Sequence, residues 1–118
     1  KMELTLDHLA GKEMQVGRYY LRHDDMVAAI NRFRFVVENY QTTSHVPEAL
    51  HRLVESYLKL GSTEEANRYA SVLGHNFPGS LWYRDSYKLM TGVGSTKPVD
   101  ASAKPQPKTS SWLGRFIP

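Results

Sequence analysis

Met26-Val-Ala-Ala-Ile30-Asn-Arg-Phe33-Arg-Phe-Val-Val37-Glu-Asn-Tyr40 carries its large apolar residues at steps of four, three, four and three. That spacing keeps Met26, Ile30, Phe33, Val37 and Tyr40 on one side of a 3.6-residue turn, so the stretch predicts an amphipathic helix. Asp24 or Asp25 can accept a hydrogen bond from its first free N–H groups, and the polar run Gln41 to His45 ends it. Upstream, Leu9, Val16 and Tyr20 share a face of a preceding helix, with Gly17 and Leu21 beside them.

The pattern repeats downstream. Leu50, Leu53, Tyr57 and Leu60 form a stripe on a third helix whose first turn holds Pro47 and Glu48 and which Gly61 stops. Ser62 followed by Glu65 has capping-box spacing, so a fourth helix begins there, with Ala66, Tyr69, Ala70 and Leu73 on its apolar face. The turn Asn76-Phe-Pro-Gly79 ends it. Ser80 caps a shorter fifth helix through Leu81, Trp82, Tyr87, Leu89 and Met90, with Gly92 just beyond.

The first two helices align with the next two at an offset of 37 residues: Gly17 with Val54, Tyr20 with Tyr57, Ala29 with Ala66, Phe33 with Ala70, Val36 with Leu73. Such self-similarity marks a solenoid, and small residues spaced to let helices approach around an aromatic are how the tetratricopeptide repeat packs. The offset exceeds the usual ~34 residues, which puts about one extra turn near Thr42 to His45. The expected fold is all-α: two tetratricopeptide-type helix hairpins plus a C-terminal capping helix, a short α-solenoid with an extended tail. Residues 1–7 are a lead-in, 8–45 and 46–79 the repeats, 80–91 the cap, with Trp82 and Tyr87 covering the second repeat, and 92–118 the tail.

Charge follows the same division. Residues 1–91 hold eleven Lys/Arg against eleven Asp/Glu, and the formal +3 comes from Lys97, Lys104, Lys108 and Arg115 opposing Asp100 in the tail. A nucleic-acid surface needs its basic residues gathered on one face of a fold, so no nucleic-acid partner is expected. Absence of cysteine removes thiolate metal sites and cysteine nucleophiles. His8, His23, His45, His51 and His75 form no H-x-H or H-x-x-x-H pair, and Asp24-Asp25 and Glu64-Glu65 sit at helix starts, where acids complement the dipole. No glycine-rich phosphate loop is present. No enzymatic chemistry, cofactor or metal is expected.

Binding surfaces then come from what the repeats leave exposed. The first helices of successive repeats line the concave side of a solenoid, which nominates Met14, Arg18, Leu21 and Arg22 together with His51, Glu55, Leu58 and Lys59 as a groove suited to a peptide. On the outer side of the second helix, Asn31, Arg32, Arg34 and Phe35 point away from the apolar stripe, and aromatic and Arg residues are enriched at interface hot spots. In the tail, Trp112, Leu113, Phe116 and Ile117 crowd four large apolar residues into six positions and are expected to anchor it in a hydrophobic groove.

The words Gly17-Arg-Tyr-Tyr-Leu21, Ala28-Ala-Ile-Asn-Arg32, Val36-Val-Glu-Asn-Tyr40, Tyr57-Leu-Lys-Leu-Gly61, Asn76-Phe-Pro-Gly-Ser80 and Trp82-Tyr-Arg-Asp-Ser-Tyr87 together resemble the C-terminal half of the BamD family, over about residues 8 to 90. The departures are Gln41, where the family commonly has proline, and Asp24, where it commonly has glycine; the tail has no clear counterpart. The resemblance implies a non-catalytic lipoprotein on the periplasmic face of the outer membrane, with its lipid anchor outside this sequence. It implies partners too: the last POTRA domain of BamA and other BAM lipoproteins, with Arg32 forming an ion pair with an acidic POTRA residue. The alternative on the same fold is another tetratricopeptide adaptor, such as a periplasmic cell-division coordinator, binding a different peptide or domain.

Overall fold

A computed structural model describes residues 5–92 as five helices: α1 (Leu6–Arg22), α2 (Met26–Asn39), α3 (Val46–Leu60), α4 (Thr63–Asn76) and α5 (Leu81–Gly92). Among the described residues the architecture is all-α. Each of the first four helices packs on the next, and α5 lies against α3 and α4. The expected tail anchor, Trp112, Leu113, Phe116 and Ile117, lies outside the described residues.

Local chemistry sets most helix ends. Thr5 Oγ1 accepts from the His8 N–H at 3.1 Å, so α1 starts two residues before the stretch read from periodicity. Asp25 rather than Asp24 caps α2, accepting from the Ala28 N–H at 3.3 Å. Asp24 instead takes the left-handed turn after α1 at φ 61°. Asp tolerates that conformation better than most residues, which is how this chain does without the glycine the resemblance leads one to expect there. Gly61, at φ 84°, ends α3 in the left-handed conformation that glycine adopts freely. Ser80 Oγ accepts from the Trp82 N–H at 3.0 Å at the start of α5. The capping box at Ser62 does not form: its side chain makes no cap bond, and Glu65 lies toward Arg68 at 3.7 Å. Between the hairpins, Ser44 bonds the Asp7 carboxylate through its N–H at 3.2 Å and its hydroxyl at 3.1 Å, tying the inter-repeat turn to the start of α1.

The core runs through every helix, from Ala10 and Met14 on α1 to Met90 on α5. Its tightest approach is at Gly17, where an added Cβ would stand 2.6 Å from the Phe33 ring. This contact turns α1 relative to the sequence expectation: Ala10, Met14 and Gly17 are buried, while Val16 is 36% exposed. A helix presents the face that admits its neighbour most closely, and here the missing side chain decides that, ahead of the more apolar Leu9, Val16 and Tyr20. In the second hairpin the equivalent pair is Val54 and Ala70, both fully buried, so bulk has moved from the second helix to the first. Gly74 repeats the device one step on: a Cβ there would lie 2.7 Å from Tyr83, which seats α5. The capping residues against the core are accordingly Trp82, Tyr83 and Met90; Tyr87 stands edge-on to Tyr83, with ring centroids 6.2 Å apart. Leu60, assigned to the α3 stripe, is 51% exposed at the last turn.

The Gly17–Phe33 pair predicts a coupled response. Gly17→Val should destabilise the fold by about 1–3 kcal/mol through overpacking, and Phe33→Ala by about 3–5 kcal/mol through the cavity it leaves. Together they rebuild the Val/Ala combination of the second hairpin, so the double variant should lose less than the sum by at least ~1 kcal/mol. Chemical denaturation of the four proteins measures this, and strict additivity would mean that the two residues do not meet.

Candidate partner-binding faces

α2 winds at about 100° per residue, so Ala28, Asn31, Arg32 and Phe35 fall on one face. With Tyr20 of α1 they line an open depression of about 330 Å³. Arg32 forms one edge, its Nη1 donating to Glu13 Oε1 on α1 at 2.9 Å. The hydrogen bond and charge of Glu13, with a smaller contribution from Tyr20, raise the guanidinium's pKa above its usual value. The side chains are 45% and 24% exposed, so the pair is a surface bridge that adds little to stability. Phe35, 42% exposed, stands edge-on to Tyr40 at 5.7 Å.

Arg34, expected on the same face, is not there. Two residues beyond Arg32 it is turned about 200° away, bonding Glu38 at 3.0 Å, with Tyr57 and Tyr69 near enough for their electrostatics to act on it. Those two rings stack at 5.7 Å and 9°, and burial is the main cause pushing the Tyr69 phenol up to about 12. Arg34 therefore serves the seam between the hairpins, and the outer face reduces to Asn31, Arg32 and Phe35, joined by Tyr20 and Ala28.

The concave groove changes more. Met14 is fully buried and His51 is 4% exposed, so neither is outward as expected. Met14 lies on the α1 line with Ala10 and Gly17 that faces the core, and His51 sits on α3, which packs against α2, α4 and α5. Leu21 and Leu58 are half-buried against the core, while Arg22 and Lys59 remain exposed. Arg18 and Glu55 belong to a chain of polar contacts that links α1, α3 and α5. Arg18 Nη1 meets Glu48 at 2.9 Å; Arg52 meets Glu48 at 3.3 Å and Glu55 at 2.9 Å and lies 5.4 Å over the Trp82 ring. His51 Nδ1 bonds Ser86 Oγ at 2.8 Å, and its Nε2 lies 3.4 Å from Glu55. Sequence reasoning missed Glu48, Arg52 and Trp82 as members of this face. Its local signal was the Glu48, Arg52, Glu55 spacing of four and three, which puts the three charges on one helix face.

These contacts tie α1, α3 and α5 together and pair Arg18, Glu48, Arg52 and Glu55 with one another, while Arg22 and Lys59 stay exposed. Among the described residues no group of three or more His, Asp or Glu side chains could hold a metal ion, and no helix is long and apolar enough to cross a membrane. Among the described residues three recesses stay open: one between the start of α1 and His45, one over the first turns of α5, and the α1–α2 face.

The fold defines a tetratricopeptide-like helix-hairpin protein. The sequence pattern of the outer membrane lipoprotein family YfiO matches residues 1–90, and the chain belongs to that family. It is 52% identical to the outer membrane protein assembly factor BamD of Caulobacter vibrioides over 88% of this chain and 35% of that protein. To the BamD of Rickettsia prowazekii it is 58% identical over 76% of this chain and 36% of that protein. With the BamD of Neisseria meningitidis serogroup A it shares 40% over 68% and 30%. The chain thus spans about a third of the length of these relatives.

Glu55 gives the concave network a pH signature. Burial disfavours its charge, but the hydrogen bonds and charges of His51 and Arg52 outweigh burial and lower its pKa. A carboxylate whose pKa is lower folded than unfolded stabilises above its unfolded value, about 4.3 for Glu, and that contribution is lost as pH falls through the folded value. Glu55→Gln should therefore be less stable than the parent at pH 7, and the difference should shrink as pH falls below ~4.3. Denaturation midpoints across pH 3 to 7 measure this, and a constant gap would assign the loss to packing.

Proposed function

We propose that this chain is a non-catalytic scaffold module of the outer-membrane β-barrel assembly machinery, docking on the POTRA region of BamA through the α1–α2 face. The observation that carries the reading is Arg32 exposed at the edge of a depression floored by small and aromatic residues, beside a half-exposed Phe35. A guanidinium next to a recess with both aromatic and polar walls suits a partner that offers a carboxylate beside an apolar side chain, because the ion pair sets orientation and the buried ring supplies most of the affinity. Membership in an outer membrane lipoprotein family supports the role in outer-membrane assembly, and so do relatives named as outer membrane protein assembly factors.

Under this reading the module works at the periplasmic face of the outer membrane of a Gram-negative bacterium. Its membrane attachment is an N-terminal lipid anchor outside this sequence, other BAM lipoproteins are further partners, and it binds no nucleic acid. The concave network keeps the hairpins in register so that the outer face is presented as a rigid surface, which lowers the entropy lost on docking.

Arg32→Glu should weaken binding to a BamA POTRA fragment by about 2 kcal/mol or more, since charge reversal adds repulsion to the loss of the pair. Helical content by circular dichroism should not change, because the Arg32–Glu13 bridge is exposed. Calorimetry at low salt is the measurement, and equal affinities would reject this face.

A further inference from the structure

We propose that Glu13 is a built-in competitor at the Arg32 docking point, orienting the guanidinium while its negative charge sets how tightly the face takes a partner's carboxylate. The inference rests on the docking reading above and names its affinity-determining residue. The Glu13–Arg32 bond joins side chains nineteen positions apart on different helices, so it fixes Arg32 against α1. It uses one Nη1 hydrogen and the Tyr20 hydroxyl also bonds the guanidinium, but a guanidinium carries five N–H donors in a planar fork, so Arg32 keeps donors for a second carboxylate. Glu13 is not among the residues lining the depression, which are Tyr20, Ala28, Asn31, Arg32 and Phe35. An incoming carboxylate therefore meets Arg32 with a like charge already bound to it.

Two consequences oppose each other, and their sizes decide the sign. Holding Arg32 in place reduces the side-chain freedom lost on docking, but the bond is exposed and holds it weakly. Repulsion between two carboxylates that share one guanidinium acts at several ångströms and corresponds to a several-fold change in affinity at low salt. Glu13→Gln keeps the length of the side chain and a carbonyl oxygen that can accept from Arg32, and it removes only the charge.

The test compares parent and Glu13→Gln chains binding a purified BamA POTRA fragment across a salt series. The variant should bind roughly 3- to 10-fold tighter at low salt, and the gain should fade as salt rises. A role in stability alone would leave affinity and its salt dependence unmoved. Equal or weaker binding by the variant, with the parent still binding, overturns the competitor role and leaves the docking face standing. No binding by the parent overturns the docking reading and this inference with it.

Discussion

Gly17 lets the Phe33 ring occupy space that any side chain on α1 would fill. Because Phe33 is itself fully buried, the ring cannot swing aside, and the contact fixes how α1 is rotated against α2. That rotation puts Met14 into the core and brings Glu13 and Tyr20 beside Arg32. A candidate docking face shared by two helices is thus a consequence of one missing side chain. The same solution seats α5, where Tyr83 fills the space over Gly74, while the second hairpin uses Val54 and Ala70 in place of Gly17 and Phe33. Core positions in neighbouring repeats trade volume in this way because what must be conserved is total packing, not the residue at each place.

α3 carries the second constraint. It packs against α2, α4 and α5, and its polar residues Glu48, His51, Arg52 and Glu55 reach α1 and α5 through Arg18, Ser86 and Trp82. Repeats stacked only by apolar contact could slide, whereas hydrogen bonds and ion pairs fix their angular register. The concave side thereby becomes a cross-braced surface, and the outer face of α2 keeps side chains available to a partner. Arg18 and Arg32, both arginines bonded at 2.9 Å to a glutamate on another helix, differ in setting: Arg18 belongs to a network spanning the repeats, and Arg32 borders a recess.

Much of this was legible in the sequence. The Met26-to-Tyr40 stripe and the helix ends at Asp24 or Asp25, Gly61 and Ser80 depend on local spacing, and the structure has the helices they predict. The α1 face was read only in part: Tyr20 and Leu21 pack against the core, but Val16 is exposed and the line through Ala10, Met14 and Gly17 is buried in its place, because periodicity cannot see that a neighbour needs room. Met14 and His51 were placed outward by the rule that first helices line a solenoid's concave side, yet Met14 lies on the core-facing line of α1 and His51 on a helix packed against α2, α4 and α5. Arg34 was grouped with Arg32 because both lie off the apolar stripe, although residues two apart on a helix face nearly opposite ways. Glu13 gave no local signal at all, since its partner sits on another helix. The exposure of Asn31, Arg32 and Phe35 was legible because it follows directly from the stripe opposite them.

The central claim, that the α1–α2 face and not the concave side meets the assembly partner, is tested most directly by site-specific photo-crosslinking in cells. A photoreactive residue would replace Ala28, Asn31 or Phe35 in one set of full-length proteins, and Arg22 or Lys59 in another. The account predicts adducts with the BamA POTRA region from the first set and none from the second. Adducts confined to Arg22 and Lys59 would contradict it and return the docking site to the concave side.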